Sequence, residues 1–303
     1  MRSYPIHHID AFTSKPFEGN STVVVFDAQT LSDGEMAKIS KEMNLSETVF
    51  VLPQSYTGQD ADFRLRFFTA SGDEVRFCAH GAVGALFALA KAQKFGMDHP
   101  GQYQFQVQTN AGIHVMHVDA ANQEVPLISY DLPQIELSVA PYDHRELANE
   151  LGIEIDLLDS ERPIMLERTN NHLYFVTPSL KELGSLNIDQ KKAKAFAELG
   201  RVMLFCALTP HAFDSQNQVH CRSFCPLIGI PEDPFTGSMQ GGVAAYLFKQ
   251  QMVDTRLSMI GSEQGHFLGR PGQVLIEIKK GPQFACKLHA RAVMLYSAKL
   301  TLP

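Results

Sequence analysis

The chain has 303 residues, of which 45% are hydrophobic and 19% charged, proportions that are normal for a soluble globular protein. Its formal charge is −7 and its basic residues are scattered, which disfavours nucleic acid as a partner. The N-terminus lacks the apolar region of a secretory signal, and no run approaches the roughly 18 apolar residues of a membrane span. These features predict a cytoplasmic protein with no membrane partner.

The first predicted elements are strands joined by a turn and followed by a helix. Residues 4–12 predict a strand and residues 21–26 a returning one. Ser32 is a good N-cap for a short amphipathic helix. The segments ETVFVLP and DFRLRFF then predict two more strands. In the second of these, apolar and charged residues alternate, which is typical of a half-buried antiparallel strand.

A buried helix is predicted next. The segment EVRFC supplies one more strand, and from His80 to about Lys94 small and apolar residues occupy every side before Gly96. A helix that is apolar all round is a buried helix. A flat sheet covers only one side of a helix, so the antiparallel sheet is expected to wrap around it.

The second half repeats this order. VHCRSFCP predicts a strand, a turn rich in Gly, Pro and acidic residues follows, and GSMQGGVAAYLFK predicts a small-residue helix that ends at Lys249. Two surface helices are predicted from PYDHRELANELG and DQKKAKAFAELG, whose charged residues lie on solvated faces.

The spacing between the halves supports a duplication. Arg66 and Arg222 are 156 residues apart, whereas His80 and Ser238 are 158 apart, so two extra residues in the second turn would reconcile the offsets. This predicts two copies of one strand–turn–helix unit. Chance resemblance between two buried helices is the alternative.

The unpatterned segment DAANQEVP marks the expected domain boundary. It predicts an N-terminal domain, 1–123, and a C-terminal domain, 124–287, with the last strand, about 288–303, completing the first domain.

Each predicted buried helix begins on a turn of small residues, C-A-H-G at 78–81 and D-P-F-T-G-S at 233–238. Free N–H groups and the dipole at a helix start attract anions, so two such turns facing each other would bind the carboxylate of a small molecule. Close helix packing is the alternative for either turn alone. The candidate binding residues are Cys78, Ala79, Gly81, Thr236, Gly237 and Ser238.

Three ionisable side chains are candidates for catalysis. His80 could shuttle a proton near neutral pH or cap the helix. Asp233 precedes a proline, and its carboxylate could orient a substrate or cap the next helix. Glu47 stands just ahead of four apolar residues, where desolvation would raise its pKa and suit a base working near pH 7. The alternative for Glu47 is an exposed residue at a strand entry.

The motifs of metal and nucleotide sites are missing. Five cysteines with no CxxC pair argue against a disulfide framework and a closed zinc site. The histidines of HVMH would point to opposite faces of a strand. The sequence contains no GxGxxG after a strand, no GxxxxGK[ST] and no GxSxG. An enzyme without a cofactor or a metal is therefore the simpler expectation.

Five segments together resemble the phenazine biosynthesis PhzF-like isomerases, which are relatives of diaminopimelate epimerase. Each segment is a weak sign by itself, but all five in this order are specific, and the resemblance covers nearly the whole chain. The segments are DAFTSKPFEGNSTVVVF, NLSETVFVLP, RLRFFTASGDEVRFCAHGAVGA, GIPEDPFTGSMQGG and EQGHFLGRPG.

The resemblance implies an α+β fold with two similar domains, each a mostly antiparallel sheet or barrel wrapped around a central helix. It also implies an active site in the cleft between the domains, and a homodimer. In that family the glutamate of the SET segment is the acid/base, which corresponds to Glu47. The family's histidine after the cysteine corresponds to His80, its aspartate before proline to Asp233, and its serine after Thr-Gly to Ser238.

The related epimerases and racemases use two opposed cysteines, and this chain departs from that pattern. Cys78 is present in the first turn, but the second turn has Phe235 and Thr236 and no cysteine. Two-thiol racemisation is therefore disfavoured. Phe235 is interpreted as filling part of the pocket.

We therefore expect a cofactor-independent isomerase of a biosynthetic type, in which Glu47 moves a proton between two carbons of a small carboxylate. His80, Asp233 and Ser238 would position the substrate or assist. One alternative is a one-thiol amino-acid epimerase or racemase in which Cys78 acts with Glu47 or His80. The other is a carboxylate-binding protein that carries out no chemistry.

Overall fold

The computed structural model describes residues 1–56, 60–279 and 284–303, which form a mixed α+β protein. The elements of the first part are β1 (Arg2–Ala11), β2 (Asn20–Val25), α1 (Asp33–Met43), β3 (Glu47–Pro53), β4 (Phe63–Thr69), β5 (Glu74–Val75), α2 (Ala79–Lys91), β6 (Gln102–Thr109), β7 (Gly112–Asp119) and β8 (Leu127–Asp131). None of the helices among the described residues is long and apolar enough to cross a membrane.

The rest of the described chain contains the remaining strands and α-helices. Its elements are β9 (Leu137–Val139), α3 (His144–Leu151), β10 (Met165–Glu167), β11 (His172–Val176), α4 (Leu180–Ser185), α5 (Gln190–Gly200), β12 (Leu204–Thr209), β13 (Val219–Cys225), β14 (Ile230–Asp233), α6 (Gln240–Lys249), β15 (Met259–Gln264), β16 (Gly272–Lys279), β17 (Ala285–Ala290) and β18 (Ala292–Leu302).

Contacts divide the chain into two compact units. Unit 1 consists of Met1–Asp131 together with His289–Pro303, and unit 2 consists of Leu132–Leu288. The final strand of the chain, β18, therefore belongs to unit 1, where it pairs antiparallel with β1.

The two units have the same strand order. In unit 1, β1 and β2 are antiparallel, β2 and β3 parallel, and β3 and β4 antiparallel. β4 then pairs antiparallel with β5 and parallel with β6, which pairs with β7. Unit 2 repeats each of these pairings with β10 to β16 in place of β1 to β7. A mostly antiparallel sheet has thus been built twice.

Each sheet wraps around one buried helix. α2 is buried from Ala79 to Ala90 and packs against β1, β2, β3, β7, β8 and β18. α6 is buried from Gln240 to Leu247 and packs against β9, β11 and β16. Because strands from distant parts of the sheet reach the same helix, the predicted α+β fold with sheets wrapped around a central helix is confirmed.

An arginine–glutamate pair marks the same place in both units. Arg66 on β4 donates two hydrogen bonds of 2.7 Å to the carboxylate of Glu74. Arg222 on β13 donates two to the carboxylate of Glu232, at 2.9 and 2.7 Å. Glu74 follows Arg66 by eight residues and Glu232 follows Arg222 by ten, which locates the two extra residues in the second turn as predicted. Chance resemblance of two helices does not account for this shared pair.

Local sequence signals placed most elements correctly. Ser32 caps α1 in a capping box with Glu35, and the two predicted surface helices begin after the N-caps Asp143 and Asp189. These caps accept hydrogen bonds from the otherwise unpaired N–H groups of the first helical turn, so the boundary is set by the local sequence.

Some predicted boundaries were wrong, and a strand of the second turn was not predicted. EVRFC forms a strand only at Glu74–Val75, because the chain must turn for Cys78 to cap α2. α2 ends at Lys91, before Gln93 and Phe95, which have positive φ. The second turn also contains a strand that the sequence did not reveal, β14, which pairs with β13.

Candidate active site

Glu47 is held at the entry of β3 by the neighbouring strands. It pairs with Thr22 in the parallel ladder to β2 and with Thr69 in the antiparallel ladder to β4. The Thr22 hydroxyl also donates to the Glu47 carbonyl oxygen at 2.9 Å. The backbone of Glu47 is therefore fixed from both sides, which leaves its carboxylate in a defined place.

The start of α2 supplies two side chains to the same place. Cys78 is the N-cap of the helix, and its sulfur accepts the Gly81 N–H at 3.3 Å. Cys78 Sγ also lies 3.3 Å from His80 Nδ1. The sequence left open whether His80 caps this helix; the cap is Cys78, and both residues are buried.

A carboxylate–imidazole pair forms the centre of the cluster. Glu47 Oε2 lies 3.2 Å from His80 Nε2, and the two side chains are only 12% and 9% exposed. Glu47 Oε2 is buried, and no hydrogen-bond donor in the described part of the chain is well aligned with it. The oxygen therefore keeps a lone pair that can accept a proton.

The charges of this cluster differ from the sequence-based expectation. Burial acts to raise the pKa of Glu47, as predicted, but the contact with His80 and its positive charge outweigh burial, so the pKa lies below its usual value. Burial acts to lower the pKa of His80, but its contacts with Cys78 and Glu47 raise it well above its usual value. The prediction of a raised pKa for Glu47 was wrong, because the sequence did not show its partner.

Cys78 stays a neutral thiol in these surroundings. Burial, followed by the negative charge of Glu47, raises the pKa of Cys78 to about 11. One ligand atom of each of Glu47, Cys78 and His80 lies within 4.8 Å of the others, so together they could surround a metal ion. A metal ion there would have to displace the proton of this thiol, since the thiolate is the binding form.

Gly81 has a packing role at this helix start. A Cβ atom at Gly81 would lie 2.8 Å from Val49 Cγ2 and 3.1 Å from Phe67 Cδ1, closer than side-chain carbons pack. The close-packing alternative therefore explains why a glycine stands here. Ala79, the first residue of α2, is buried beside it.

The turn before α6 brings a different set of side chains together in unit 2. Asp233 ends β14, and its carboxylate accepts a hydrogen bond from the Thr236 hydroxyl. Gln264 fixes both residues: its amide nitrogen donates to the Asp233 carbonyl oxygen at 2.8 Å, and its amide oxygen accepts the Thr236 N–H at 3.0 Å. Gln264 was not singled out from the sequence, because its hydrogen bonds join it to residues 31 and 28 positions away.

The remaining predicted residues of this turn lie in a short 3₁₀ segment. Gly237 and Ser238 belong to Gly237–Met239, and α6 begins only after it, at Gln240. Phe235 is fully buried in unit 2, so it is a core side chain and lines no accessible surface of that unit. Each predicted group therefore clusters within its own unit.

Comparison with known proteins adds an independent observation. Residues 9–298 match the family model described as phenazine biosynthesis-like protein. An uncharacterized isomerase of Clostridium acetobutylicum is 30% identical over 309 residues, which cover 100% of this chain and 99% of the relative. A protein of Pseudomonas chlororaphis named trans-2,3-dihydro-3-hydroxyanthranilate isomerase is 32% identical over 270 residues, which cover 88% of each chain.

A solved structure has the same fold over its whole length. The crystal structure of a phenazine biosynthesis protein of the PhzF family from Bacillus anthracis superposes with a TM-score of 0.87 and 25% sequence identity, and the match covers 100% of both chains.

Proposed function

We propose that this chain, which belongs to the phenazine biosynthesis-like protein family, is a cofactor-independent isomerase. In the proposed reaction, Glu47 moves a proton within a small carboxylate. Its relatives from Clostridium and Pseudomonas are named isomerases, and the chain is an enzyme of this class. The alternative of a carboxylate-binding protein without catalytic activity does not fit that class.

The observation that carries the proposal is the buried pair of Glu47 and His80, with 3.2 Å between Oε2 and Nε2. Because the pKa of Glu47 is lowered and that of His80 raised, the resting pair is a carboxylate and an imidazolium at neutral pH. A carboxylate that is ionised and poorly hydrated can act as a base on a C–H bond held against it.

One carboxyl group is sufficient for the reaction. The Glu47 carboxylate removes a proton from one carbon, the electron pair moves into the unsaturated system of the substrate, and the resulting carboxylic acid returns the proton to another carbon. When Glu47 takes up the proton, the negative charge that favours the imidazolium disappears, so the pKa of His80 falls. His80 can then donate a hydrogen bond or a proton to the developing negative charge.

The start of α2 supports an anionic substrate. The N–H groups of the first helical turn and the positive end of the helix dipole lie beside the His80 imidazolium, and all of them favour a carboxylate. In the proposal, Cys78, Ala79 and Gly81 form the wall on this side. Roles for Asp233, Thr236, Gly237 and Ser238 stay predictions of the sequence.

The one-thiol alternative requires Cys78 to act as a base. A pKa of about 11 leaves the thiol protonated at neutral pH, so Cys78 would need Glu47 or His80 to remove its proton first. Its 3.3 Å contacts with His80 Nδ1 and Gly81 N–H support a structural role as helix cap and neighbour of the imidazole.

The substrate proposed is a small unsaturated carboxylate. The Pseudomonas chlororaphis relative is named for trans-2,3-dihydro-3-hydroxyanthranilate, which we include as one member of that class. A proton shift between two carbons of such a molecule is the reaction that a single glutamate acid/base supports. A homodimer in the cytoplasm stays a prediction of the sequence.

The test is proton exchange in heavy water, followed by proton NMR with a panel of small unsaturated and amino carboxylates. We expect one class of compound to lose a proton signal with the wild type and Glu47→Gln to slow this loss by about 10²- to 10⁴-fold. The control is Glu42→Gln, the same change at an exposed position of α1. Exchange at the wild-type rate in folded Glu47→Gln would rule out Glu47 as the base.

A second variant separates the one-thiol alternative. Cys78→Ala is expected to keep proton exchange within about tenfold of the wild type, since the thiol takes no proton in the proposed mechanism. Loss of exchange as complete as that of Glu47→Gln would favour the epimerase with Cys78 as a base.

A further inference from the structure

A second cluster of potential metal ligands lies within unit 2. His220 is on β13, Glu263 on β15 and His266 in the 3₁₀ turn that follows β15. His220 Nε2 lies 3.0 Å from His266 Nδ1, and one ligand atom of each of the three residues lies within 4.8 Å of the others. The proposed proton transfer uses none of these side chains.

The carboxylate of the cluster is held in one orientation. Glu263 is buried, and it accepts the N–H groups of Phe213 and Asp214 at 2.8 Å each and the Asn217 side-chain amide at 2.8 Å. Two of these hydrogen bonds end on Oε1 and one on Oε2, so the carboxylate is fixed in orientation while Oε2 keeps an acceptor site. Such outer hydrogen bonds are the usual way in which proteins orient a metal ligand.

Aromatic rings hold the two imidazoles. Phe213 stacks on His266 with 4.4 Å between ring centroids, and its edge meets His220 at 5.4 Å. Phe267 packs against His220 from another side, at 5.2 Å. His220 is fully buried, whereas His266 is half-buried, so His266 is the more exposed of the two rings.

The fold itself does not require this cluster. His220 pairs with Glu263 in the parallel ladder of β13 and β15, and the corresponding ladder of unit 1 pairs Arg64 with Gln108. The same sheet is thus built without a histidine or a carboxylate at these positions. In addition, His220 Nδ1 is buried with no hydrogen-bond partner among the described residues, so the contact with His266 satisfies only one of the two nitrogens of this ring.

We propose that His220, Glu263 and His266 bind a divalent transition-metal ion of the zinc type. Two imidazole nitrogens and one carboxylate oxygen are a donor set that suits such ions, and three protein ligands leave a position open for water or another ligand. Two nitrogens bound tetrahedrally to one zinc ion are about 3.3 Å apart, so only a small separation of the two rings is needed.

The opposing explanation is a plain hydrogen bond between two neutral histidines. In that case one ring nitrogen donates to the other and the cluster has no affinity for metal ions. The two explanations differ in a measurement that requires no substrate and no activity, namely the titration of the metal-free protein with Zn²⁺ and Co²⁺.

We expect one saturable Co²⁺ site per chain, with the visible absorption of low-coordinate cobalt and without a thiolate charge-transfer band, and displacement by Zn²⁺. The site should persist in Cys78→Ala, which removes the thiol from the other group of potential ligands. His266→Asn should weaken binding at least about tenfold, and Glu263→Gln should do the same. The control is His99→Asn, which changes a histidine whose side chain is 84% exposed.

Three results would overturn the proposal. One is the absence of saturable binding by the wild type. Another is an affinity that His266→Asn leaves unchanged, in a variant whose circular dichroism matches the wild type. The third is loss of the cobalt spectrum in Cys78→Ala, which would assign the ion to the cluster of Glu47, Cys78 and His80.

Discussion

Units 1 and 2 share a strand order but differ at the position where the proposed chemistry occurs. Arg66 pairs with Phe50 across one ladder and Arg222 with Ala207 across the other. Three residues before Phe50 stands Glu47, and the counterpart three residues before Ala207 is the buried Leu204. One copy of the fold therefore has a carboxylate at the strand entry, whereas the other copy has an apolar side chain.

The starts of the two central helices, α2 and α6, also differ in their ionisable side chains. At the offset of 158 residues, the counterpart of Cys78 is Thr236 and that of His80 is Ser238. Ionisable groups in unit 1 are matched by hydroxyl groups in unit 2. At these three pairs of equivalent positions, only unit 1 has ionisable side chains.

The feature common to both units is the arginine–glutamate pair, and its removal is expected to have the largest effect on stability. Besides Glu232, Arg222 donates to the carbonyl oxygens of Leu183 and Leu186 at 2.8 Å each. Arg222→Met would leave a buried carboxylate and two carbonyl groups unpaired. We expect this to lower the free energy of unfolding by about 3–5 kcal/mol. Arg66→Met should cost less, about 1.5–3 kcal/mol.

The smaller cost at Arg66 follows from exposure, since its second partner, Asp33, has a side chain that is 80% exposed. Urea unfolding of both variants measures the difference. Arg256→Met is the control, because Arg256 is 90% exposed and its pair with Asp254 contributes little. Equal losses at Arg66 and Arg222 would contradict a difference based on burial.

Added methyl groups in the central helices α2 and α6 are expected to have a smaller effect on stability, in both units. A methyl group at Gly84 would lie 2.5 Å from Thr22 Cγ2, and one at Gly242 would lie 2.2 Å from the Tyr174 hydroxyl. Gly84→Ala and Gly242→Ala should each lower the free energy of unfolding by about 1–3 kcal/mol, since a packed core cannot make room.

The control for these variants is Gly34→Ala on α1, where an added methyl group meets nothing within 4 Å. Alanine loses less backbone entropy than glycine on folding, so Gly34→Ala should raise the free energy of unfolding by about 0.5–1 kcal/mol in the same thermal or urea experiment. Destabilisation of Gly34→Ala by as much as the two buried variants would mean that helix propensity, rather than packing, decides the outcome.

The smallest expected effect depends on pH and belongs to unit 1 alone. The pKa of His80 is raised above 6.5 in the folded protein, so the imidazolium stabilises the fold fully below pH 6.5, and this stabilisation is lost as the pH rises through the folded-state pKa. The pKa of Glu47 is lowered below 4.5, so its contribution is present above pH 4.5 and is lost as the pH falls through the folded-state pKa.

Chemical unfolding as a function of pH tests this pair. The wild type should lose stability as the pH rises above 6.5, and His80→Gln should lose less over the same range. The control is His99→Gln, an exposed histidine that should keep the wild-type slope. Parallel curves for the wild type and His80→Gln would contradict the raised pKa.

Much of the fold could be predicted from the sequence. Ser32 caps the helix that it was expected to begin, PYDHRELANELG contains the predicted helix α3, and the apolar alternation of DFRLRFF corresponds to β4. The small-residue segments became the two buried helices, and both the α+β class and the family resemblance are confirmed. Capping and periodicity are local properties, which is why a single sequence reveals them.

The site was predicted less completely. Glu47 and His80 were both singled out, but their contact was not, and without it the predicted direction of the Glu47 pKa was wrong. Gln264, which holds the turn of Asp233 and Thr236, was not assigned any role. The catalytic roles of Glu47, His80 and Asp233 stay predictions until the exchange experiment is done.

The sequence by itself therefore determined many of the strands and helices, that their order occurs twice, and which family the chain belongs to. The tertiary structure alone decided which ionisable groups meet. Glu47 and His80 are 33 positions apart, and His220 and Glu263 are neighbours only through the register of two parallel strands. Protonation and ligand geometry depend on distances between side chains, and strand pairing and helix packing set these distances.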